Sequence, residues 1–457
     1  MASQRGHWGS RLGFILAAAG SAVGLGNLWK FPYLAWENGG GAFLLVYLVA
    51  VVLLGLPIMM AEILVGRRAQ ASAVPAFTAL GGRGWSVVGW LGVLSGAVIL
   101  SYYTVIAGWS LRSFFQCVQW SLGSYPPDAG ARFGAFLADG TQQVLLTTGF
   151  TLLTAFIVYR GIGSGIERAS KVMMPVLLSI LLYLVVTTLT LPGRTAGLSH
   201  LWLPRLDALP PQGALLAVGQ AFFSLSLGLG AMIAYGSYLS RKESLAGSAA
   251  WVVVCDTMVA LLAGTAMFII IHSIPGLDQR VSGSTVGMLF ITLPELFYTQ
   301  MPGGVVLAPL FFVLVAFAAL TSTISLGEVV ASLLIDRKGW SRPRATLAST
   351  VVVYAGSLLC ALSLGAQPAL STFEVFAGKA GLLSTLDHLA ANWLLPLGGL
   401  GTTIFVGWRL ARKDLLEELG LRRPTWLFHA WVWLLRVVAP LAIVALLAMV
   451  VAGKDLS

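Results

Sequence analysis

Residues 20–32 read GSAVGLGNLWKFP, from Gly20 to Pro32. They lie inside an apolar segment that begins at Leu12, yet they make a poor helix. Gly20, Gly24 and Gly26 crowd together, and Asn27 and Lys30 place polar atoms where lipid is expected. A helix broken inside a bilayer leaves backbone N–H and C=O groups without partners. Such a break is tolerated only where those groups line a protein cavity or bind something.

The surrounding composition sets that stage. Of 457 residues, 57% are hydrophobic and 10% charged, which no soluble fold requires. Residues 42–61 (AFLLVYLVAVVLLGLPIMMA) form a run long enough to span a bilayer core without a charge. No charge occurs between Asp207 and Arg241. The chain reads as an all-α integral membrane protein. Its net charge of +10 does not gather into a patch, which argues against nucleic acid as a partner. Cys117, Cys255 and Cys360 are far apart and give neither a disulfide framework nor a metal spacing. The five histidines, His7, His200, His272, His388 and His429, show no ligand spacing either. No cleavable signal is expected at the N-terminus, so the first apolar segment is retained as a helix.

Eleven spans are predicted, at about 12–36, 41–66, 87–118, 143–159, 166–191, 213–239, 245–272, 304–335, 345–364, 376–408 and 426–452. With the N-terminus cytoplasmic, most Lys and Arg fall in inner loops, which places the C-terminus outside. Residues 273–303 are amphipathic and too polar to span, and are expected to form a helical lid on the outer face. The sixth span, GQAFFSLSLGLGAMIAYG (Gly219–Gly236), is interrupted by Ser224, Ser226, Gly228 and Gly230. One broken helix thus opens each set of five spans. Paired interruptions of this kind indicate an inverted-repeat transporter. The chain then parses as one transmembrane domain, 1–457, with repeats at about 12–191 and 213–408 and an extra helix at about 426–452.

Facing breaks offer two chemistries. The N-terminal end of a half-helix presents free N–H groups and partial positive charge, suited to a carboxylate. A C-terminal end presents bare carbonyls, suited to a hard cation such as Na+. The other reading of these glycines is close helix packing. Thr321, Ser322 and Thr323 can add hydroxyl oxygens at mid-span, and Asp256 is an intramembrane carboxylate, a functional candidate by default. Glu62 is a candidate cap for free amides of a broken helix, and Glu328 a buried hydrogen-bonding residue.

Longer motifs carry a family resemblance. Residues 11–43 (RLGFILAAAGSAVGLGNLWKFPYLAWENGGGAF) resemble the first helix of the neurotransmitter:sodium symporter family, whose bacterial members carry amino acids. Residues 219–243 resemble its sixth helix and residues 317–336 its eighth. The resemblance implies sodium-coupled import of a neutral, hydrophobic or aromatic L-amino acid by alternating access. It implies residence in a bacterial inner membrane, with lipid around the chain and a homodimer left open. Two co-transported Na+ ions are implied. The first would meet the Ala22 carbonyl, Asn27, Ser224 and the substrate carboxylate, with Asp256 where many members have Asn. The second would meet the carbonyls of Gly20, Val23 and Ala318 and the hydroxyls of Thr321 and Ser322. Asp256 supplies a fixed negative charge where chloride-dependent members use Cl−, so transport without chloride is expected.

The substrate carboxylate is expected at the amides of Leu25 and Gly26 and the Tyr103 hydroxyl. Its ammonium is expected at carbonyls near Ala22, Phe223 and Ser224, with the Ser226 hydroxyl. Gly24 stands where monoamine carriers hold an Asp, which favours a substrate bringing its own carboxylate. Ser21, Ile99, Phe223, Leu229, Ser325 and Leu326 are expected to line the side-chain pocket, and their apolar character disfavours a charged substrate side chain. Lys30 and Asp387 match an outer gate pair, and Arg5 and Asp336 an inner one, with Trp8, Ser237 and Tyr238 nearby. Gly165 and Pro175 match a Gly-x9-Pro motif in the fifth span. A smaller zwitterion such as glycine, alanine or a GABA-like solute is the alternative cargo, and an amino-acid sensor the alternative role. An enzyme is disfavoured, since HExxH, GxSxG and His/Cys clusters are missing from the sequence.

Overall fold

The computed structural model describes residues 6–126, 128–274, 276–277 and 285–455. Among them there are helices and no strand. In chain order the long elements are α1 (Arg11–Ala22), α2 (Gly26–Glu37), α3 (Gly41–Ala69), α4 (Arg83–Leu122), α5 (Gly140–Tyr159) and α6 (Ile162–Thr188). Then come α7 (Pro211–Ser224), α8 (Ala231–Gly236), α9 (Leu245–Ser273), α10 (Gly304–Lys338), α11 (Arg342–Leu362), α12 (Leu382–Arg409) and α13 (Trp426–Val451). Nine of these are each long and apolar enough to cross a membrane. The α1–α2 pair passes the same test together, bent by 56°. The short α7 and α8 occupy the predicted sixth span.

Local signals fix many helix starts. Ser10, Asp139, Ser244 and Thr425 cap α1, α5, α9 and α13, each side chain accepting a first-turn amide. At the far end of α10 the chain turns left-handed at Gly339, φ 65°, after Arg337 and Lys338. Burial then separates inner helices from outer ones. In α4, α9, α10 and α12, 67% of the most apolar window is buried, against 28% in α13 and 33% in α5. These four wall the broken pair, α3 is nearly as buried at 61%, and α5, α6, α11 and α13 expose most of their apolar windows.

Both breaks are narrower than the sequence suggests. Gly20 is helical, and α1 ends only at Ala22, because the Val23 N–H still reaches the Ala19 carbonyl at 2.7 Å. Ser224 is likewise the last residue of α7, and the second interruption covers 225–230. Ser226, Gly228 and Gly230 there have φ of 53°, 79° and 72°. The Cβ of any side chain at 228 would fall 2.3 Å from the Leu395 carbonyl, so glycine is required by space as well as by torsion.

Of the predicted lid, 275 and 278–284 lie outside the described residues. Its later part is helical, Met288–Thr299, and buries Met288, Leu289 and Phe290. The Phe290 ring stacks on Phe133 and Phe312 and meets Trp29 edge-on.

Candidate functional site

The exposed backbone of the first break is answered side chain by side chain. Gly24 N donates to Asn27 Oδ1 at 3.3 Å and Leu25 N to the Tyr103 hydroxyl at 3.1 Å. At the second break Gly228 N donates to Glu62 Oε1 at 2.7 Å. The breaks also hold each other. Ser226 Oγ donates to the Ser21 carbonyl at 2.8 Å, and Gln220 Nε2 to the Gly26 carbonyl at 3.1 Å. In an apolar interior each such bond spares an unpaired polar group.

Two oxygen-rich clusters flank this junction. In one, Asn27 Nδ2 donates to Asp256 Oδ1 at 2.8 Å and to Ser224 Oγ at 3.0 Å. Ser224 Oγ donates in turn to Asp256 Oδ2 at 2.7 Å. All three side chains are buried. In the other, Ser322 Oγ approaches the carbonyls of Ala318, Ser21 and Val23 at 3.2, 3.4 and 3.5 Å, and Thr321 Oγ1 reaches the Ala318 carbonyl at 3.0 Å. A Cβ on Gly20 would sit 3.1 Å from Thr321, so the α1 backbone lies against α10 here. Residues far apart in sequence thus meet: Asn27, Ser224 and Asp256 in one cluster, and Val23, Ala318, Thr321 and Ser322 in the other, where the Ser21 carbonyl joins them. Apart from Asn27 Nδ2 the atoms are oxygens, the ligands a hard cation prefers. No group of three His, Cys, Asp or Glu with metal-binding geometry occurs among the described residues.

Between the clusters lies a cavity of about 450 Å3. Its wall includes Ser21, Ala22, Gly24, Gly26, Ile99, Tyr103, Phe223, Ser224, Ser226, Leu229, Ser325 and Leu326, all anticipated as substrate contacts. Leu25 instead lines the neighbouring larger cavity, and its amide points to Tyr103. Leu395 of α12 completes the wall and was not anticipated, since a leucine in an apolar span carries no signal of its own. Ser21 and Ser325 bond each other at 2.7 Å across the pocket floor. At 24 a Cβ would lie 2.9 Å from Ser322 Oγ and 3.0 Å from the Tyr103 oxygen, so a side chain there would press on both.

A second cavity, about 1160 Å3, continues from this pocket toward Lys30 and Asp387. The Phe223 ring separates the two and carries Lys30 Nζ 4.6 Å above its face. Asp387 shares a hydrogen bond with the Tyr102 hydroxyl and the field of Lys30. Sequence reasoning missed the remaining charges at this mouth. Asp455, beyond α13, pairs with Lys379 and lies 3.4 Å from His388 Nδ1, and it accepts from Asn392 Nδ2 at 2.9 Å.

The opposite end is closed. Arg5, one half of the expected gate there, lies outside the described residues; Asp336, the other half, accepts the Ser72 N–H at 2.7 Å. Trp8 Nε1 donates to the Tyr235 carbonyl at 3.0 Å and Trp8 N to the Tyr238 carbonyl at 3.4 Å. Tyr238 donates to Glu328, which is held by both terminal nitrogens of Arg342 at 2.7 and 3.0 Å. A further clasp was not foreseen. Glu167 of α6 accepts from Gly9 N at 2.6 Å, Ser10 Oγ at 3.0 Å and Lys171 Nζ at 2.6 Å. It leaves no room for a side chain at Gly13, whose Cβ would fall 2.1 Å from Glu167 Oε1. The clasp sits on a π-turn, Ile162–Glu167, that contains Gly165; Pro175 lies one helical stretch further along α6.

Comparison with known proteins fits this geometry. The model of the sodium:neurotransmitter symporter family matches residues 5–125 and 137–455. YhdH of Bacillus subtilis (strain 168), an uncharacterised sodium-dependent transporter, is 37% identical over 441 residues, 96% of this chain and 96% of its own. MJ1319 of Methanocaldococcus jannaschii, also an uncharacterised sodium-dependent transporter, is 35% identical over 97% of this chain and 89% of its own. The crystal structure of MhsT in complex with L-phenylalanine is similar with a TM-score of 0.88 and 40% identity, covering 97% of this chain and 99% of that one.

Proposed function

The chain belongs to the sodium:neurotransmitter symporter family, and we propose that it imports a neutral, hydrophobic or aromatic L-amino acid together with two Na+ ions. One observation carries the reading: two interrupted helices meet around a pocket flanked by two buried polar clusters. The substrate carboxylate takes the Leu25 and Gly26 amides and the Tyr103 hydroxyl. One Na+ joins that carboxylate to Ala22, Asn27, Ser224 and Asp256. A half-turn of the Asn27 amide exchanges Nδ2 for Oδ1 and gives the ion an oxygen ligand, at the cost of the bond Oδ1 accepts from Gly24 N. The other Na+ sits among Gly20, Val23, Ala318, Thr321 and Ser322. Ile99, Phe223, Leu229, Leu326 and Leu395 receive the side chain, whose apolar burial supplies much of the binding. Relation to a protein solved with L-phenylalanine supports an aromatic guest.

Charge balance favours transport without chloride. Two Na+ ions beside a zwitterionic substrate leave an excess positive charge in a low dielectric, and Asp256 offsets one unit of it. When Na+ leaves, the same carboxylate can take up a proton, which couples the cycle to proton antiport. Sodium stabilises the state open at the Lys30–Asp387 mouth, and substrate then favours closure by differential affinity. The first, second, sixth and seventh spans move against the rest. The reading keeps eleven spans in a 5+5 inverted repeat, at 12–191 and 213–408, with the extra helix at 426–452. It places the N-terminus in the cytoplasm and the Lys30–Asp387 mouth outside, with Arg5 and Asp336 as the inner gate.

Uptake of radiolabelled phenylalanine into proteoliposomes tests this. An inward sodium gradient should drive accumulation, and replacing chloride by gluconate should leave it unchanged. Equal phenylalanine binding in potassium and in sodium would overturn the coupling. A chloride requirement would overturn the role given to Asp256.

A further inference from the structure

A third recess lies away from the transport pathway, where α12 ends and α13 begins. It measures about 640 Å3 and is lined by Arg412, His429 and Arg436 with Phe428, Val432 and Trp433 beside them. The remaining lining residues, Leu410 and Leu415, are apolar, so no acidic side chain faces it. The acidic residues nearby, on the short helix Arg412–Glu418, point elsewhere. Asp414 holds Arg68 at 2.5 Å and Glu418 holds Arg67 at 2.8 Å. That helix therefore turns its anions toward α3 and Arg412 toward the recess.

The cations are poised rather than satisfied. Arg436 spends Nε on the Gly407 carbonyl at 2.5 Å and lies 5.4 Å from the Trp408 ring, while its two terminal nitrogens have no partner among the described residues. Arg412 Nη2 lies 3.1 Å from His429 Nε2, and since a guanidinium can only donate, Nδ1 is the ring nitrogen turned to other partners. All three side chains are exposed on the protein. Their depth matters. Arg436 lies roughly 15 Å along α13 from Trp426, and its side chain meets Arg412 and His429, which stand at the loop end of the helix, in one recess. Arg412 and His429 lie by the polar segment that joins α12 to α13, and Trp408, Trp426 and Trp433 are exposed around it, a residue type enriched where a helix meets the lipid headgroups. An arginine fork facing a lipid boundary matches phosphate oxygens, and Trp433 and Val432 offer a surface to the first methylenes of an acyl chain.

We infer that this recess binds the phosphodiester headgroup of an anionic phospholipid, held by Arg412 and Arg436 with His429 Nδ1 as a third donor. The site does not depend on the transport reading, and failure of either leaves the other standing.

Delipidated protein in detergent, titrated with short-chain phosphatidylglycerol and followed by native mass spectrometry, tests the site. One phosphatidylglycerol should bind in preference to phosphatidylcholine, and inorganic phosphate in excess should fail to displace it. The double variant Arg412→Gln/Arg436→Gln should bind it at least about tenfold more weakly, as loss of charge-assisted hydrogen bonds implies. Equal affinity for the two lipids in the unaltered protein overturns the proposal, and that comparison needs no variant. Displacement by inorganic phosphate assigns the site to the free ion and overturns it also. So does a folded double variant, with an unaltered melting curve, that keeps its phosphatidylglycerol.

Discussion

The two mouths of the central pocket are built differently. Toward Lys30 and Asp387 a cavity of about 1160 Å3 reaches down to the Phe223 ring, and charged groups stand around its rim. Toward Trp8 the path is shut by bonds made directly between side chains and backbone: Trp8 to Tyr235, Glu167 to Gly9 and Ser10, and Glu328 to Tyr238 and Arg342. One mouth is a space and the other a set of contacts. The difference teaches that, under the proposed transport cycle, opening the second mouth is chiefly a matter of breaking the contacts at the closed end. Those contacts are short, polar and partly buried, so each is strong while made and is lost as a unit when its helix moves.

The largest effect is expected at Glu328. Arg342→Gln leaves that buried carboxylate without its cation, a loss of about 3–5 kcal/mol. The melting temperature should fall, and a cysteine placed near Tyr238 should become reactive from the closed side. Adding Glu328→Gln to the same chain should restore much of the stability. If the single variant melts like the unaltered protein, the closed mouth does not depend on this pair.

Glu167→Ala should act next. It removes acceptors from Gly9 and Ser10, each a charge-assisted bond of about 1.5–3 kcal/mol. The first helix is freed at its N-terminal end, so labelling from the closed side should rise and substrate affinity should fall. Gly13→Ala should do the same by steric means, since it displaces the same carboxylate. Agreement between the two variants would tie the effect to the clasp rather than to either residue alone.

Tyr103→Phe probes the pocket shared by both mouths. It strands the Leu25 amide at a cost of about 1–3 kcal/mol, and substrate should bind roughly tenfold more weakly or worse. The smallest effect is expected at the open rim. Asp455→Asn weakens partly exposed pairs with Lys379 and His388, about 0–1 kcal/mol, and should change sodium-dependent binding by less than about fivefold. An effect at Asp455 larger than that at Glu167 would reverse the contrast between the mouths.

Much of this was legible in the sequence, and for physical reasons. Lipid allows few polar residues, so Asn27, Ser224, Asp256 and Thr321 stand out in apolar runs, and the glycines around them mark where helices fail. The pocket walls came from the family resemblance instead, since Ile99, Leu229 and Leu326 are apolar residues in apolar runs. The clasp on Glu167 did not, because an acid beside Arg168 and Lys171 at a span's end looks like an ordinary solvated helix terminus. Its partners lie 157 and 158 residues away. Asp455 was hidden for the same reason, and Arg342 looked like one more positive charge at an inner loop. Break boundaries were also blurred: Gly20 and Ser224 carry the composition of a break but keep helical bonds. Glycine permits an interruption without dictating where it falls.

One contact links the halves of this contrast. A Cβ on Gly66 of α3 would lie 1.9 Å from the Ile233 carbonyl of α8, and a Cβ on Gly236 would lie 2.6 Å from the Ile63 carbonyl. Bare backbone therefore lies on bare backbone, with no flexible side chain between the two helices to absorb slippage. Whatever tilts α8 must carry α3 with it, like two planks glued along an edge, and with α3 goes Arg67 and the anionic short helix gripped beneath it. A lever of that stiffness transmits motion from the central pocket to the far surface of the bundle with little lost in the joint.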